Sequence, residues 1–272
     1  MTAFFPITGY IFVGLFGLLI GSFLNVVVHR VPRRESVIRP ASHCPHCGHV
    51  LRAWENIPVL SWLLLRGRCH DCGSAIAWRY PALELLTGLF SVVVAWQWAI
   101  HHAMSLRWSL LPALLFTWIL LALTLIDLET QLLPDRITKP GMLLGLLINA
   151  SALFWPGLAL TTPWNALLGI VLGYGSLWLL ATAYLKMTGK HGMGGGDLKL
   201  LGLIGAWLGW QAVFLTLFIA AISGGLVAVA FLLGGKGRDY AIPFGPYLAL
   251  GGWLMLLWPH EIVQGYLHLL GS

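Results

Sequence analysis

ITGYIFVGLFGLLIGSFLNVVV, residues 7–28, carries no charged side chain. A hydrocarbon core of about 30 Å is crossed by about 20 residues of helix, so this stretch is long enough to span a bilayer. The pattern returns down the chain, in apolar runs at residues 81–100, 108–126, 137–156, 164–185, 198–208, 212–233 and 242–258. The run at 198–208 has only 11 residues, about 16 Å of helix. It either pairs with its successor across a thinned or water-accessible site, or takes in part of residues 211–217. Composition agrees with repeated spans. Of 272 residues, 58% are hydrophobic and 10% charged, with a mean hydropathy of +0.81, against about 25% charged residues in a soluble domain. A water-soluble globule is excluded, because there is too little polar surface to cover it. The sequence predicts an all-α polytopic membrane protein of about eight transmembrane helices.

Lys and Arg near span ends report orientation. With eight spans, Arg30, Arg33, Arg34, Arg39, Arg52, Arg66, Arg68, Arg79, Arg136, Lys139, Lys186, Lys190, Lys199, Lys236 and Arg238 fall on one side, and Arg107 alone falls opposite. The basic side is cytoplasmic by this rule, and both termini are outside. The net charge of +6 is thereby used up as a topology signal, and no nucleic-acid partner is expected. Residues 1–10 lack a basic n-region, and no small-residue cleavage site follows the apolar run, so the first span is expected to stay uncleaved. No internal repeat or low-complexity tract is present. The chain thus divides into a first transmembrane helix (1–28), a polar cytoplasmic loop (29–80) and a seven-helix membrane core (81–272).

That loop holds all four cysteines, as Cys44-Pro-His-Cys47 and Cys69-His-Asp-Cys72, each pair followed by glycine, Gly48 and Gly73. Two C-x-x-C pairs separated by 21 residues lie just beyond the spacing usual for a four-cysteine zinc site. Glycine admits the left-handed turn such a knuckle needs. The competing reading is two disulfides, which a reducing cytoplasm disfavours. Four thiolates leave no open coordination position, so the expected zinc is structural. The neighbouring His43, His46, His49 and His70 are either substitutes for one ligand or ordinary loop residues.

Acidic residues number only 10, and a carboxylate at a span is a functional suspect. Asp127 ends the third span in LTLIDLET, and Asp197 stands immediately before the short sixth span, at the end of Gly192-Met-Gly-Gly-Gly. The glycines permit close backbone approach. The run lacks Walker spacing and a preceding strand, so it is not read as a nucleotide loop. Two carboxyls brought together share one proton, one serving as base on water and the other as acid toward a carbonyl. The alternative is a pair of boundary ion pairs, Asp127 with Arg136 or Lys139 and Asp197 with Lys199. Asp135, after Pro134, is expected to cap the fourth span.

These residues resemble the bacterial type 4 prepilin peptidases. The resemblance rests on Gly21-Ser-Phe-Leu-Asn25 with His29-Arg-Val-Pro, both C-x-x-C pairs, Trp54-Glu-Asn-Ile-Pro58, Arg66-Gly-Arg-Cys69, Tyr80-Pro-Ala-Leu-Glu84, Ile126-Asp127 with Leu133-Pro-Asp135, and Gly194-Gly-Gly-Asp197-Leu-Lys. It covers nearly the whole chain. It implies an inner-membrane aspartic endopeptidase with Asp127 and Asp197 as the catalytic pair. Such an enzyme removes the short basic leader of a prepilin or type II secretion pseudopilin, cutting after a Gly at the cytoplasmic boundary. It then N-methylates the new terminus with S-adenosylmethionine as donor. Relatives without methyltransferase activity form one rival reading, and a zinc-capped scaffold or transporter forms another. No dinucleotide fingerprint marks the donor site. The candidates are Gly67, beside Cys69, and Glu84, whose alternative is an ion pair with Arg79. Asn25 either caps polar groups near the site or bonds between helices. The chain departs from many relatives in having Gly195 between the two glycines of the aspartate motif.

Overall fold

The computed structural model describes residues 6–101, 108–190, 194–235 and 243–269. Arg107, Gly192, Met193, Lys236, Arg238, Ile242 and the first five positions lie outside the described residues. Ten α-helices are described: α1 (Ile7–Arg30), α2 (Leu60–Leu64), α3 (Arg79–His101), α4 (Leu110–Thr130), α5 (Asp135–Ala150), α6 (Pro163–Thr188), α7 (Gly195–Leu208), α8 (Trp210–Leu233), α9 (Gly245–Leu257) and α10 (Pro259–Leu269). Five of them, α1, α3, α4, α6 and α8, are long and apolar enough to cross a membrane.

The other three expected spans are shorter helices. α5, α7 and α9 have 16, 14 and 13 residues, roughly 20–24 Å of helix. The expected run at 137–156 stops as an α-helix at Ala150 and continues in two 3₁₀ turns, Ser151–Leu153 and Pro156–Leu158. Pro156 has no amide hydrogen with which to extend the helix. The sixth run takes nothing from residues 211–217, because α7 ends at Gly209, whose φ of +86° breaks the helix before α8 begins. Asp135 is not the cap of α5. Extended Pro134 occupies that position, and Asp135 is the first helical residue, with its carboxylate drawn to Lys139 and Lys199 instead.

The chain divides into two compact units, residues 1–106 and 107–272. In the first, α1 packs along α3 through glycines. A Cβ on Gly17 would lie 2.6 Å from Ser91 Oγ and 2.9 Å from Gly88 Cα. Lipid supplies no hydrophobic drive between helices, so close backbone approach through small residues does the joining. Thr87 and Ser91 satisfy their hydroxyls on carbonyls of their own helix, Leu83 and Thr87, at 2.8 and 2.7 Å. Asn25 donates to the Tyr80 carbonyl at 3.2 Å, bonding between elements.

The second unit is built around α7. Its Leu200, Leu201, Leu203, Ile204, Ala206 and Trp207 are fully buried, with α5, α6, α8 and α9 packed against it. That explains a helix apolar on every face yet shorter than a span. Gly169 of α6 and Gly205 of α7 let the two backbones touch, since a Cβ on either would overlap the other's peptide. The end of α7 is fixed by Asn149. Its Nδ2 donates to the carbonyls of Ala206 (2.9 Å) and Trp207 (3.0 Å), while its Oδ1 accepts from the amides of Leu160 (2.9 Å) and Thr161 (3.0 Å). Two carbonyls at a helix C-terminus and two loop amides are thus satisfied by one buried side chain. Asn149→Leu strands all four groups and is expected to cost about 3 kcal/mol. Thermal unfolding in detergent reads this as a lower midpoint, and an unchanged midpoint would refute it.

Candidate active site

Three helix ends converge in the second unit. Asp127 lies in the last turn of α4 and is buried. Its Oδ2 accepts the amide hydrogen of Gly245, the first residue of α9, at 3.1 Å. Asp197 is in the first turn of α7, half-buried, and no described residue donates a hydrogen bond to it. The charge on Asp127 acts on Asp197, so carboxyls 70 positions apart in sequence are electrostatic neighbours. Each also sits by the positive end of a helix, α9 for Asp127 and α7 for Asp197.

The segment between α4 and α5 locks this arrangement. Gln131 turns the chain with φ +53° as its amide bonds to the Asp127 carbonyl at 2.9 Å. Leu133 then packs against the Gly-rich run, where a Cβ on Gly196 would come within 2.8 Å of Leu133 Cβ. Gly194 and Gly195 would meet no described atom, so only one of the three glycines makes the expected close approach. Asp135 takes Lys139, at 2.7 Å, and Lys199. Two of the cations that could have neutralised Asp127 and Asp197 are therefore held by a third carboxylate. A pair of carboxyls, one amide-bonded and one without a donor among the described residues, is equipped to exchange a proton with water and a carbonyl.

Gly245 was not singled out in the sequence. Its signal is the run Pro243-Phe-Gly-Pro246 opening the last apolar span, a helix start with proline in its first turn. The partner of that start is invisible in one dimension.

In the first unit the four cysteine sulfurs lie within 4.8 Å of one another. Cys44 and Cys72 Sγ are 3.8 Å apart and Cys47 and Cys69 Sγ 3.9 Å apart. A tetrahedral ion with sulfur ligands at about 2.3 Å needs sulfur–sulfur edges of about 3.8 Å. The cysteines are free thiols rather than disulfides, and the donor set fits a metal. Both knuckles fold alike. Cys44 and Cys69 amides bond to the carbonyls of His49 and Ser74, the Gly48 and Gly73 amides return to the carbonyls of Cys44 and Cys69, and the two glycines have φ of +73° and +69°. Amides of Cys47 and His46 aim at the Cys44 sulfur and hold its thiol down at about 5. Cys47 is pushed up to about 12, although the His49 amide favours its thiolate, because desolvation and the three other sulfurs crowd it. Thiolates this close need a cation to coexist.

Two of the neighbouring histidines are engaged by carboxylates. His49 lies between two carboxylates, Nε2 at 2.9 Å from Glu55 and Nδ1 at 2.8 Å from Asp71, and so ties one knuckle to the other. His70 is 3.0 Å from Asp71. Amide and histidine hydrogen bonds hold the Glu55 carboxyl below its usual range, and the His70 bond does the same for Asp71.

Gly67 and Glu84 both have local partners. Gly67 has φ +66°, and a Cβ there would come within 2.9 Å of the Trp62 ring. Glu84 Oε2 accepts the Val59 amide hydrogen at 2.7 Å, and the carboxylate also bonds to Ser22. Arg79 stacks on the Tyr80 ring, 5.1 Å from its centroid. Val59 has φ +63° and ψ −49°, with the Leu60 amide bonded to the Pro58 carbonyl across it at 2.6 Å. A β-branched residue there costs about 1–3 kcal/mol, and Glu84 is the group that holds it. Gly67 and Glu84 thus have these partners within the first unit, and the Glu84 Oε2–Val59 bond engages one oxygen of the carboxylate.

The profile described as Bacterial Peptidase A24 N-terminal domain matches residues 15–98, and that described as Type IV leader peptidase family matches residues 114–229. A prepilin leader peptidase/N-methyltransferase from Aeromonas salmonicida (strain A449) is 44% identical, covering 93% of this chain and 92% of its own. Proteins of the same name from Pseudomonas putida and Neisseria gonorrhoeae are 45% and 42% identical, over 94% and 88% of this chain and 92% and 87% of theirs. No solved structure matches. Similar over nearly its whole length to these relatives, and matched in both units by the two profiles, the chain belongs to the type IV leader peptidase family.

Proposed function

We propose that this protein removes the leader of prepilins or type II secretion pseudopilins and N-methylates the residue so exposed, with Asp127 and Asp197 as the hydrolytic pair. The observation that carries the reading is the convergence on Leu133 of the helix starts beside the two carboxyls, where a Cβ on Gly196, next to Asp197, would lie 2.8 Å from Leu133 and one on Gly245, the amide donor to Asp127, 3.4 Å from it, in a chain whose relatives bear both activities in their name. Water attacks the scissile carbonyl while one aspartate takes its proton and the other protonates the oxygen. Collapse of the tetrahedral intermediate then releases the amine.

Eight crossings of the inner membrane, three by the shorter helices α5, α7 and α9, place both termini outside and the aspartates at the cytoplasmic boundary. A basic leader and an apolar pilin helix would meet there. By function, residues 29–80 form a cytoplasmic loop closed by zinc on Cys44, Cys47, Cys69 and Cys72, and residues 81–272 form the core that bears the protease site. The zinc supplies cross-linking of two knuckles and no open coordination position. S-adenosylmethionine supplies the methyl group, and no step of its transfer is assigned to a residue. Gly67 and Glu84 are the candidates for contact with the donor, and both also shape the loop.

The deciding experiment incubates purified full-length protein with a prepilin and S-adenosylmethionine and weighs the product. A mature chain heavier by about 14 Da supports both activities. A cleaved chain without that increment reduces the reading to a peptidase, and an intact prepilin removes it. Glu84→Ala, which frees the strained Val59 turn, is expected to slow methylation at least about 10-fold with little effect on cleavage. Glu84→Gln keeps an oxygen for the Val59 amide and should retain most activity. Equal loss in both variants would mean that the carboxylate charge itself is needed.

A further inference from the structure

The Asp127–Asp197 pair is not symmetric, and the asymmetry lies in the backbone. Asp127 accepts the amide hydrogen of Gly245 at 3.1 Å, and that amide is among the first of α9, which has no intrahelical carbonyl to bond. Asp197 has no such donor among the described residues and lies within the field of Asp127. Both carboxyls sit by a helix N-terminus, so of two that share one proton the negative charge settles on the one that also accepts a hydrogen bond. Position 245 also has no room for a side chain. A Cβ would stand 2.6 Å from Asp127 Oδ2, 3.1 Å from its Cγ and 3.4 Å from Leu133 Cδ1.

We propose that Gly245 is a positioning residue that fixes the division of labour in the pair: its amide holds Asp127 as the carboxylate that deprotonates water, and Asp197 carries the shared proton. The inference rests on the dyad reading above. In the first step a water oxygen bonds to the scissile carbon, its proton passes to Asp127, and the proton of Asp197 passes to the carbonyl oxygen, leaving a gem-diol. In the second step the C–N bond breaks and the amine takes the proton from Asp127. A gem-diol hydroxyl proton returns to Asp197 as the new carboxylic acid forms. Both aspartates end as they began.

Gly245→Ala pushes the Asp127 carboxylate off its donor. It is expected to lower kcat for prepilin cleavage about 100-fold with KM unchanged, while methylation of an already cleaved pilin by the same preparation continues. Gly251→Ala is the packing control. It lies on the same helix and its Cβ would meet the Thr216 carbonyl oxygen at 2.7 Å, so it should lower the yield of folded protein but not the kcat of what folds. Proton placement is read by infrared titration of the full chain in the two single Asn variants. Asp127, left alone in Asp197→Asn, should ionise at lower pH than Asp197, left alone in Asp127→Asn. The reverse order, or equal midpoints, overturns the assignment. Wild-type cleavage by Gly245→Ala, with both Asn variants inactive, sinks this inference alone. Normal cleavage by either Asn variant sinks the dyad itself.

Discussion

Prepilin cleavage is expected to fall by about 10³-fold or more when either Asp127 or Asp197 is replaced by Ala, with N-methylation of a pre-cleaved pilin persisting in both variants. Neither carboxyl can do the work alone, since one must gain a proton as the other gives one. The loss should therefore be nearly as large for each single variant as for the double. Burial sharpens the expectation for Asp127, which lies 5% exposed against α9. Its replacement leaves the Gly245 amide without an acceptor, so a modest loss of stability accompanies the loss of chemistry. The measurement is initial cleavage rate on a purified prepilin, with methylation of the mature chain as the folding control. Full cleavage by either variant would remove these residues from the mechanism.

The second large effect belongs to the cysteines. Structural zinc contributes about 10–16 kcal/mol of apparent binding free energy in small cysteine-rich domains, and regular backbone pairing adds little to the loop. Its knuckles are single bridges, His43 with Val50 and Arg68 with Ala75, and α2 has five residues. Cys69→Ser, or a strong chelator, is expected to take bound metal from one per chain to none, to open residues 41–76 to protease and to abolish methylation. Cleavage should fall less, because the aspartates lie in the other unit. Metal content by mass spectrometry and limited proteolysis check the first half, and paired activity assays the second. Simultaneous, equal loss of both activities would mean that the metal supports the protease directly. Affinity for the ion should also weaken as pH falls, since the ligands are thiolates.

What could be read in one dimension followed from how local its cause is. Long uncharged runs such as residues 7–28 and 212–233 reveal their helices because lipid leaves the backbone no other partner. The knuckles were equally plain, because C-x-x-C-G encodes its own turn. α5 and α7 were harder, because their ends are set by contacts far away in sequence. Asn149 reaches Ala206 and Leu160, and nothing near residue 149 announces it. Helix α10 was missed because His260, Glu261 and Gln264 interrupt its apolar pattern. Asp135 was misread for a similar reason. Its carboxylate is held by Lys139 one turn on and by Lys199, which comes from α7. Asp127 and Asp197 were legible as suspects by their rarity, but the donor that distinguishes them belongs to a third helix.

Helix α7, enclosed by its neighbours along its buried length, stands as a mast within the bundle. Thickness changes in the surrounding bilayer strain the long outer helices first, and α6 and α8 can tilt to absorb them. Asp197 rides on an element packed against protein among the described residues, so in the proposed reaction the depth of the cutting plane follows from the fold.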